Sequence, residues 1–332
     1  MTYDCFSFFN ELDLLEIRLN VLKDVVDKFV LAEAGETHTG KPKPCYFEEN
    51  RGRFAAFADR IVYLKIEKFP EGHGAWWNEN YQRNQIVQAL ERDGAKPDDI
   101  VLISDMDEIP DPEAVSRYSK VPGVYDFRLT SYAFYLNMRD VRTPYTVGTR
   151  MLSYRDLLTG FDGVDTFYNE FLPEELNRGT TVTKIRRRDF PKSKGGIRKL
   201  WGAGWHFTCL GGAKSVLAKM RAVAPHHDFN PDDPTLSVEN VEAMLSQGKG
   251  VALKMDCFAE KDFEGLPEFV VRNRARYAHL LFAVTPEYLR RVRWARFART
   301  VQGWLKHWAE RICPTAVHNW LHRIRMRALG CR

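Results

Sequence analysis

Residues 100–103, Ile-Val-Leu-Ile, form a short aliphatic run that stops at Ser104-Asp105-Met106-Asp107-Glu108. No other part of the chain constrains the fold as much. The run follows the turn signal Lys96-Pro97-Asp98-Asp99 and reads as a strand buried on both faces, the pattern of a parallel sheet covered by helices. Residues i and i+2 of a strand share a face, so the spacing predicts Asp105 and Asp107 side by side at the carboxyl end of a central strand. Open α/β sheets bind their ligands at that edge. Two carboxylates so close repel each other unless a cation or a donor-rich ligand lies between them. Hard oxygen ligands suit Mg²⁺ or Mn²⁺, ions that usually keep substrate phosphates as partners. Asp111-Pro112-Glu113 then predicts a helix start, with an N-cap, a proline at N1 and an early acid.

Three readings of these acids compete. The first is a solvated acidic turn between strand and helix. The second is a phosphatase of the haloacid dehalogenase type, whose nucleophilic Asp also ends an apolar strand. In that pattern a small pair such as Gly-Thr follows, near the start of the domain; here Glu108-Ile109-Pro110 follows, after about 100 residues of α/β pattern. The third is the D-x-D of nucleotide-sugar glycosyltransferases, whose acids hold a divalent ion on the donor diphosphate.

The preceding residues favour a doubly wound, mostly parallel sheet. Residues 3–9, 28–32 and 61–66 read as strands, and 51–60 and 79–92 as helices, the latter closing at Gly94. An amphipathic helix after Asn10 presents Leu12, Leu15, Leu19 and Leu22 on one face. Beyond a short helix at 112–118 come aromatic-rich strands at 124–129 and 132–138, an irregular charged stretch at 150–200, and a glycine-dense segment at 202–212. Residues 215–222, 236–247 and 266–282 read as helical. With 332 residues, 44% hydrophobic and 28% charged, the composition is that of a soluble globular protein. It contains no apolar run of transmembrane length and no secretory signal at its start. Six cysteines without C-x-x-C spacing read as reduced cytosolic thiols. Net charge is +5, yet residues 285–332 carry 11 Lys and Arg against two Asp and Glu, so the remainder is acidic. The expected organisation is a catalytic body over 1–284, with a nucleotide-sugar half at 1–120 and an acceptor half at 121–284, and a basic helical tail over 285–332.

Several blocks fall in order over about residues 3–230. They are Tyr3-Asp4-Cys5-Phe6; Phe9-Asn10-Glu11-Leu12-Asp13-Leu14-Leu15-Glu16-Ile17-Arg18-Leu19; Phe29-Val30-Leu31-Ala32-Glu33-Ala34; Thr37-His38-Thr39-Gly40-Lys41-Pro42-Lys43-Pro44; Tyr81-Gln82-Arg83-Asn84; residues 104–110; and Gly204-Trp205-His206-Phe207 with Leu210-Gly211-Gly212. Together they resemble glycosyltransferase family 17, which includes β-1,4-mannosyl-glycoprotein N-acetylglucosaminyltransferases and many bacterial members. The resemblance implies a GT-A-like fold and an inverting, metal-dependent transfer from a UDP-sugar, typically UDP-N-acetylglucosamine, to a glycan or lipid-linked glycan. With no leader or anchor before the first strand, the expectation is a bacterial-type, cytoplasmic enzyme. The chain carries Pro225-His226-His227-Asp228 where family members commonly show Ser-His with an acid two residues after the His; His226 and Asp228 keep that frame.

On this reading Asp105 and Asp107 bind metal and diphosphate, and Glu108 supports catalysis or starts the helix. Glu33 ends a strand, where an acid can bind ribose or base, or can be a surface carboxylate. Arg83, followed by Asn84, offers a fork for diphosphate, or is a surface arginine. Of Trp76 and Trp77, one is expected in the core, leaving Trp76 for sugar stacking. Trp205, Gly211 and Gly212 lie in a segment where glycine lets a ligand approach the backbone closely. His206 and His226 are metal candidates, with a structural role equally open for His206. Asp228 is the candidate base that deprotonates the acceptor, with Asp162, Asp165 and Glu170 as competitors. In the tail, Trp294, Phe297, Trp304, Trp308 and Trp320 among arginines fit either a helix on an anionic membrane face or a helical pair packed on the body. Charge alone admits nucleic acid, but no recognition motif supports it, so no nucleic-acid partner is expected. Besides the phosphatase, a catalytically silent, membrane-associated glycan-binding protein remains as an alternative.

Overall fold

Four parallel strands carry the edge at which the acids sit: β1 (Thr2–Phe8), β2 (Lys28–Ala34), β3 (Ile61–Ile66) and β4 (Ile100–Asp105). In the computed structural model, which describes residues 1–159, 196–222, 236–246 and 257–290, they lie in the order β4-β1-β2-β3. Their near-continuous apolar runs are what a sheet covered on both faces requires. One face buries Phe6, Phe8, Leu31 and Leu102 under α1 (Leu12–Leu22), through Leu14, Leu15, Leu19 and Leu22. The other buries Tyr3, Cys5, Val30, Val101 and Ile103 with Ile86, Ala89 and Leu90. Each large aliphatic side chain so buried contributes about 1.5–3 kcal/mol, so both faces are strongly driven.

The sheet continues antiparallel beyond β4. Its strands are β5 (Glu108–Pro110), β6 (Val124–Ala133), β7 (Met138–Asp140), β8 (Tyr145–Ser153), β9 (Ile197–Thr208) and β10 (Cys257–Ala259). The path runs β10-β7-β6-β8-β4-β1-β2-β3, and β9 pairs with β5 and, in parallel, with β6. The α/β class expected from the pattern is therefore present, parallel in the first half of the chain and mixed over the whole sheet. Two registers matter for the site. Ser7 of β1 lies opposite Asp105, and Glu108 of β5 lies opposite His206 of β9.

Several elements differ from the sequence pattern. The helix expected over 79–92 is two, α3 (Ala75–Asn84) and α4 (Ile86–Arg92), closed as expected at Gly94 with φ 76°. Residues 132–138 are not a separate strand: β6 runs through Ala133, and Phe134 at φ 70° turns the chain. The glycine-dense segment is the end of β9, followed by a helix over Gly212–Ala222. Of the helix expected over 266–282, only Glu268–Arg272 and a tight turn at Ala278–Leu280 form.

The chain divides into two units, Met1–Phe282 and Ala283–Arg332. In the second, the Leu289 N–H donates to the Thr285 carbonyl at 3.0 Å and the Tyr288 N–H to the Thr285 hydroxyl at 3.1 Å, which opens a helix. Residues 291–332, with all the tail tryptophans, lie outside the described residues. Among the described residues no helix is long and apolar enough to cross a membrane.

Candidate functional site

The acidic junction is a turn built around a buried arginine. Arg18 of α1 is fully buried, with its guanidinium on both oxygens of Asp4 at 2.7 and 2.6 Å. Its Nη1 donates to the carbonyls of Asp105, Met106 and Glu108 at 3.1, 3.2 and 2.6 Å. Three carbonyls so gathered bend the chain immediately after the strand, so β4 ends at Asp105 and strand alternation does not extend to Asp107. Glu108 completes the turn: its Oε2 accepts the Asp105 N–H at 2.9 Å. At 2% exposure it braces the loop and is not turned out as a catalytic acid.

The two aspartates consequently engage different partners. Asp105 accepts Arg83 Nη2 at 2.9 Å. Asp107 is 6% exposed; its Oδ2 accepts Lys219 Nζ at 2.8 Å, and its Oδ1 stands 3.5 Å from His206 Nε2. Lys219 also reaches Glu11 Oε1 at 3.2 Å, and His206 Nδ1 meets the Thr146 hydroxyl at 3.1 Å. Burial by itself would raise the pKa of Asp107, but Lys219 and then His206 outweigh it and hold the carboxyl far below the usual range. Burial would lower His206 and Lys219; Asp107 reverses both, assisted at Lys219 by Glu11, so the pKa of each lies above its ordinary value.

Arg83, on α3, is the least satisfied group of the site. It is 2% exposed and donates from Nη2 to Asp105 and to Glu79, both at 2.9 Å. Its Nε and Nη1 are buried without a partner among the described residues, as are Ser7 Oγ, Asn78 Oδ1, Asn80 Oδ1 and the Trp77 indole nitrogen. Gln82 Nε2 anchors the helix to the Ala32 carbonyl at 2.8 Å, and Asn78 Nδ2 to the His38 carbonyl at 2.9 Å. Asn84 ends α3, partly buried. Trp77 is the core tryptophan, stacked between His73 and Tyr81, whereas Trp76 remains 38% exposed.

Other candidates are engaged within the fold. Glu33 is fully buried; its Oε1 accepts the Phe47 N–H at 3.1 Å and its Oε2 the Tyr63 hydroxyl at 2.9 Å. Lys43 lies 3.7 Å away, and burial, the largest influence, raises the Glu33 pKa. Glu33 therefore ties β2 to its neighbours, with both carboxylate oxygens engaged inside the fold. Trp205 is in β9, not in a turn, and its indole N–H donates to the Gly265 carbonyl at 2.5 Å. The glycine beside it admits protein backbone, not ligand: at φ 136°, a Cβ on Gly204 would stand 2.3 Å from the Ile109 carbonyl oxygen. The Gly211 and Gly212 N–H groups both donate to the Phe134 carbonyl, at 3.1 and 3.4 Å, so neither is directed at a phosphate. His226, Asp228, Asp162, Asp165 and Glu170 lie outside the described residues.

A divalent ion does not fit the described residues as they stand. Among them no three His, Cys, Asp or Glu groups converge as metal ligands, and each oxygen of Asp107 already faces a basic side chain. Arg18, Asp4 and Lys219 are site residues that the sequence does not single out one by one. For the first two the signal was a charge inside an apolar strand or stripe; Lys219, 112 residues from Asp107, left none.

Residues 1–148 match the family model described as Glycosyltransferase family 17. The curated beta-1,4-mannosyl-glycoprotein 4-beta-N-acetylglucosaminyltransferases of Rattus norvegicus and Homo sapiens are each 28% identical over 219 residues, covering 59% of this chain and 38% of each relative. The chain thus spans under two fifths of the length of those relatives. Among solved structures, mannosyltransferase PcManGT from Pyrobaculum calidifontis, in complex with GDP-Man and Mn²⁺, is 12% identical at a TM-score of 0.31, covering 47% of this chain and 45% of that one. An active-site mutant of LgtC is 13% identical at a TM-score of 0.32, covering 87% and 99%. Likeness at that level carries nothing about this chain's site.

Proposed function

Because residues 1–148 match the model of glycosyltransferase family 17, we propose that this chain transfers a sugar, N-acetylglucosamine being the leading candidate, from a UDP-sugar to a glycan or lipid-linked glycan acceptor. The observation that carries this is Arg83: a guanidinium 2% exposed, at the carboxyl edge of the parallel strands, with two N–H groups open among the described residues. A buried donor left unpaired costs about 1–3 kcal/mol, so a fold that keeps two such donors favours an anionic ligand that satisfies them. A diphosphate matches a planar fork, and the open Ser7 hydroxyl, opposite Asp105, adds a donor at the same edge. The exposed face of Trp76 suits the apolar face of a pyranose.

Inversion requires a carboxylate to deprotonate the acceptor hydroxyl while the diphosphate leaves from the opposite face. Asp228 is our candidate, with Asp162, Asp165 and Glu170 as alternatives. A GT-A-like fold, a cytoplasmic site and an anionic membrane contact through the basic tail belong to the same proposal. The sequence also favours Mn²⁺ or Mg²⁺ on Asp105 and Asp107, with His226 as a further ligand.

The test is a thermal-shift series with UDP, UDP-N-acetylglucosamine and UDP-glucose on the intact chain and on Arg83→Met. We expect UDP and at least one UDP-sugar to raise Tm, and the variant to lose the shift while melting cooperatively. A chain that ignores every uridine nucleotide is not a UDP-sugar transferase. One that releases phosphate without an acceptor returns the reading to the phosphatase.

A further inference from the structure

The site contains a cation that the proposed function does not use. Lys219 projects from the helix over Gly212–Ala222 and places its Nζ 2.8 Å from Asp107 Oδ2 and 3.2 Å from Glu11 Oε1. Its side chain is 23% exposed, so the ammonium is partly dehydrated where it meets the two carboxylates. Each aspartate of the motif thus has its own basic partner: Arg83 at 2.9 Å from Asp105, and Lys219 at 2.8 Å from Asp107.

We propose that the Lys219 ammonium, and not a divalent ion, is the cation that Asp107 holds when a nucleoside diphosphate binds. This rests on the reading of the site as a nucleotide-sugar site and goes beyond it. A metal ion ligated by Asp107 would have to enter where the ammonium stands, beside the His206 imidazole. Like charges at that spacing oppose each other in a partly dehydrated site. The ammonium satisfies the electrostatic need instead. Of its three N–H donors, two serve Asp107 and Glu11, which leaves one for a phosphate oxygen when a diphosphate binds. Together with the open Nε and Nη1 of Arg83, this gives a diphosphate two fixed cations supplied by the chain itself.

Two titrations on the full chain test the proposal. The first follows free Mn²⁺ by its paramagnetic resonance signal as protein is added, with no nucleotide. The intact chain should leave the signal unchanged. Lys219→Ala, which uncovers Asp107, should take up Mn²⁺, and Lys219→Ala with Asp107→Asn should not. The second measures UDP affinity calorimetrically in chelator and in Mn²⁺. The intact chain should bind equally in both. Lys219→Ala should lose ~10–100-fold in chelator, the worth of a hydrogen bond to a charged group, and regain part of it with Mn²⁺. Lys219→Arg should keep binding in chelator. Lys219→Met keeps the aliphatic stem and replaces the alanine variant if that one fails to melt cooperatively. Uptake of Mn²⁺ by the intact chain overturns the proposal. So does UDP binding that strengthens ~10-fold or more with Mn²⁺, or a Lys219→Ala variant that binds UDP in chelator as the intact chain does. If UDP binds in neither buffer, the donor reading fails, while the Mn²⁺ titration still decides which cation Asp107 holds.

Discussion

Two buried arginines, on opposite faces of the parallel strands, show how the same side chain serves two ends. Under the α1 face, Arg18 directs its guanidinium to Asp4 and to three carbonyls, and none of its atoms is among the buried groups lacking partners. Beside α3, Arg83 engages Asp105 and Glu79 through Nη2 and leaves Nε and Nη1 unmatched. A satisfied buried charge shapes the chain; on the proposed function, the open donors of Arg83 are kept for a ligand.

The comparison breaks most sharply at Arg18. Arg18→Met strands the fully buried Asp4 and releases the turn, and should lower the unfolding free energy by about 3–5 kcal/mol in urea titration. A loss below 1 kcal/mol would put the two arginines in one class. Arg83→Met should do the reverse. Its unfolding free energy should stay within ~1 kcal/mol of the parent, since two unpaired donors leave with the charge, while UDP affinity falls by ~1.5–3 kcal/mol. Equal effects on stability and affinity would make Arg83 a structural arginine as well.

Smaller effects sharpen the role of the turn. Gly204→Ala puts a Cβ against the Ile109 carbonyl at a φ that L residues rarely adopt, and should cost more than ~1 kcal/mol. Slowed hydrogen exchange at Glu108 and His206 should be lost with it. The smallest effect concerns pH. The pKa of His206 is raised in the folded protein, so its stabilising contribution is complete below the unfolded value near 6.5 and is lost as pH rises through the folded value. Asp107 is lowered, so its contribution holds above its unfolded value and disappears only in acid. Between pH 6 and 9, His206→Gln should therefore flatten a shallow decline of Tm, and a parent Tm that rises over that window contradicts the pairing with Asp107.

Much of this was visible in the sequence where local chemistry was enough. The strand ending at Asp105, the helix capped by Asp111, the glycine stop at Gly94 and the division between Trp76 and Trp77 follow from apolar runs, caps and breakers. Side-chain direction after the strand did not, because it depends on Arg18, which the apolar stripe of α1 hid. The glycine-dense segment misled for a similar reason. Glycine signals close approach but not by what, and here it is a neighbouring strand. Lys219 and Asp107 meet only through the tertiary fold, and no spacing rule spans 112 residues.

The pairing of β5 with β9 sets Glu108 opposite His206 through backbone hydrogen bonds, and this makes the site sensitive to length in a way that most of the chain is not. Side chains alternate along a strand, so inserting or deleting one residue between Gly204 and His206 would turn the imidazole to the other face of the sheet and bring Trp205 or Phe207 against Asp107. Homologous chains can therefore change residue types along β9 more freely than residue number. In a set of relatives, length variation should be absent between the glycine and the histidine.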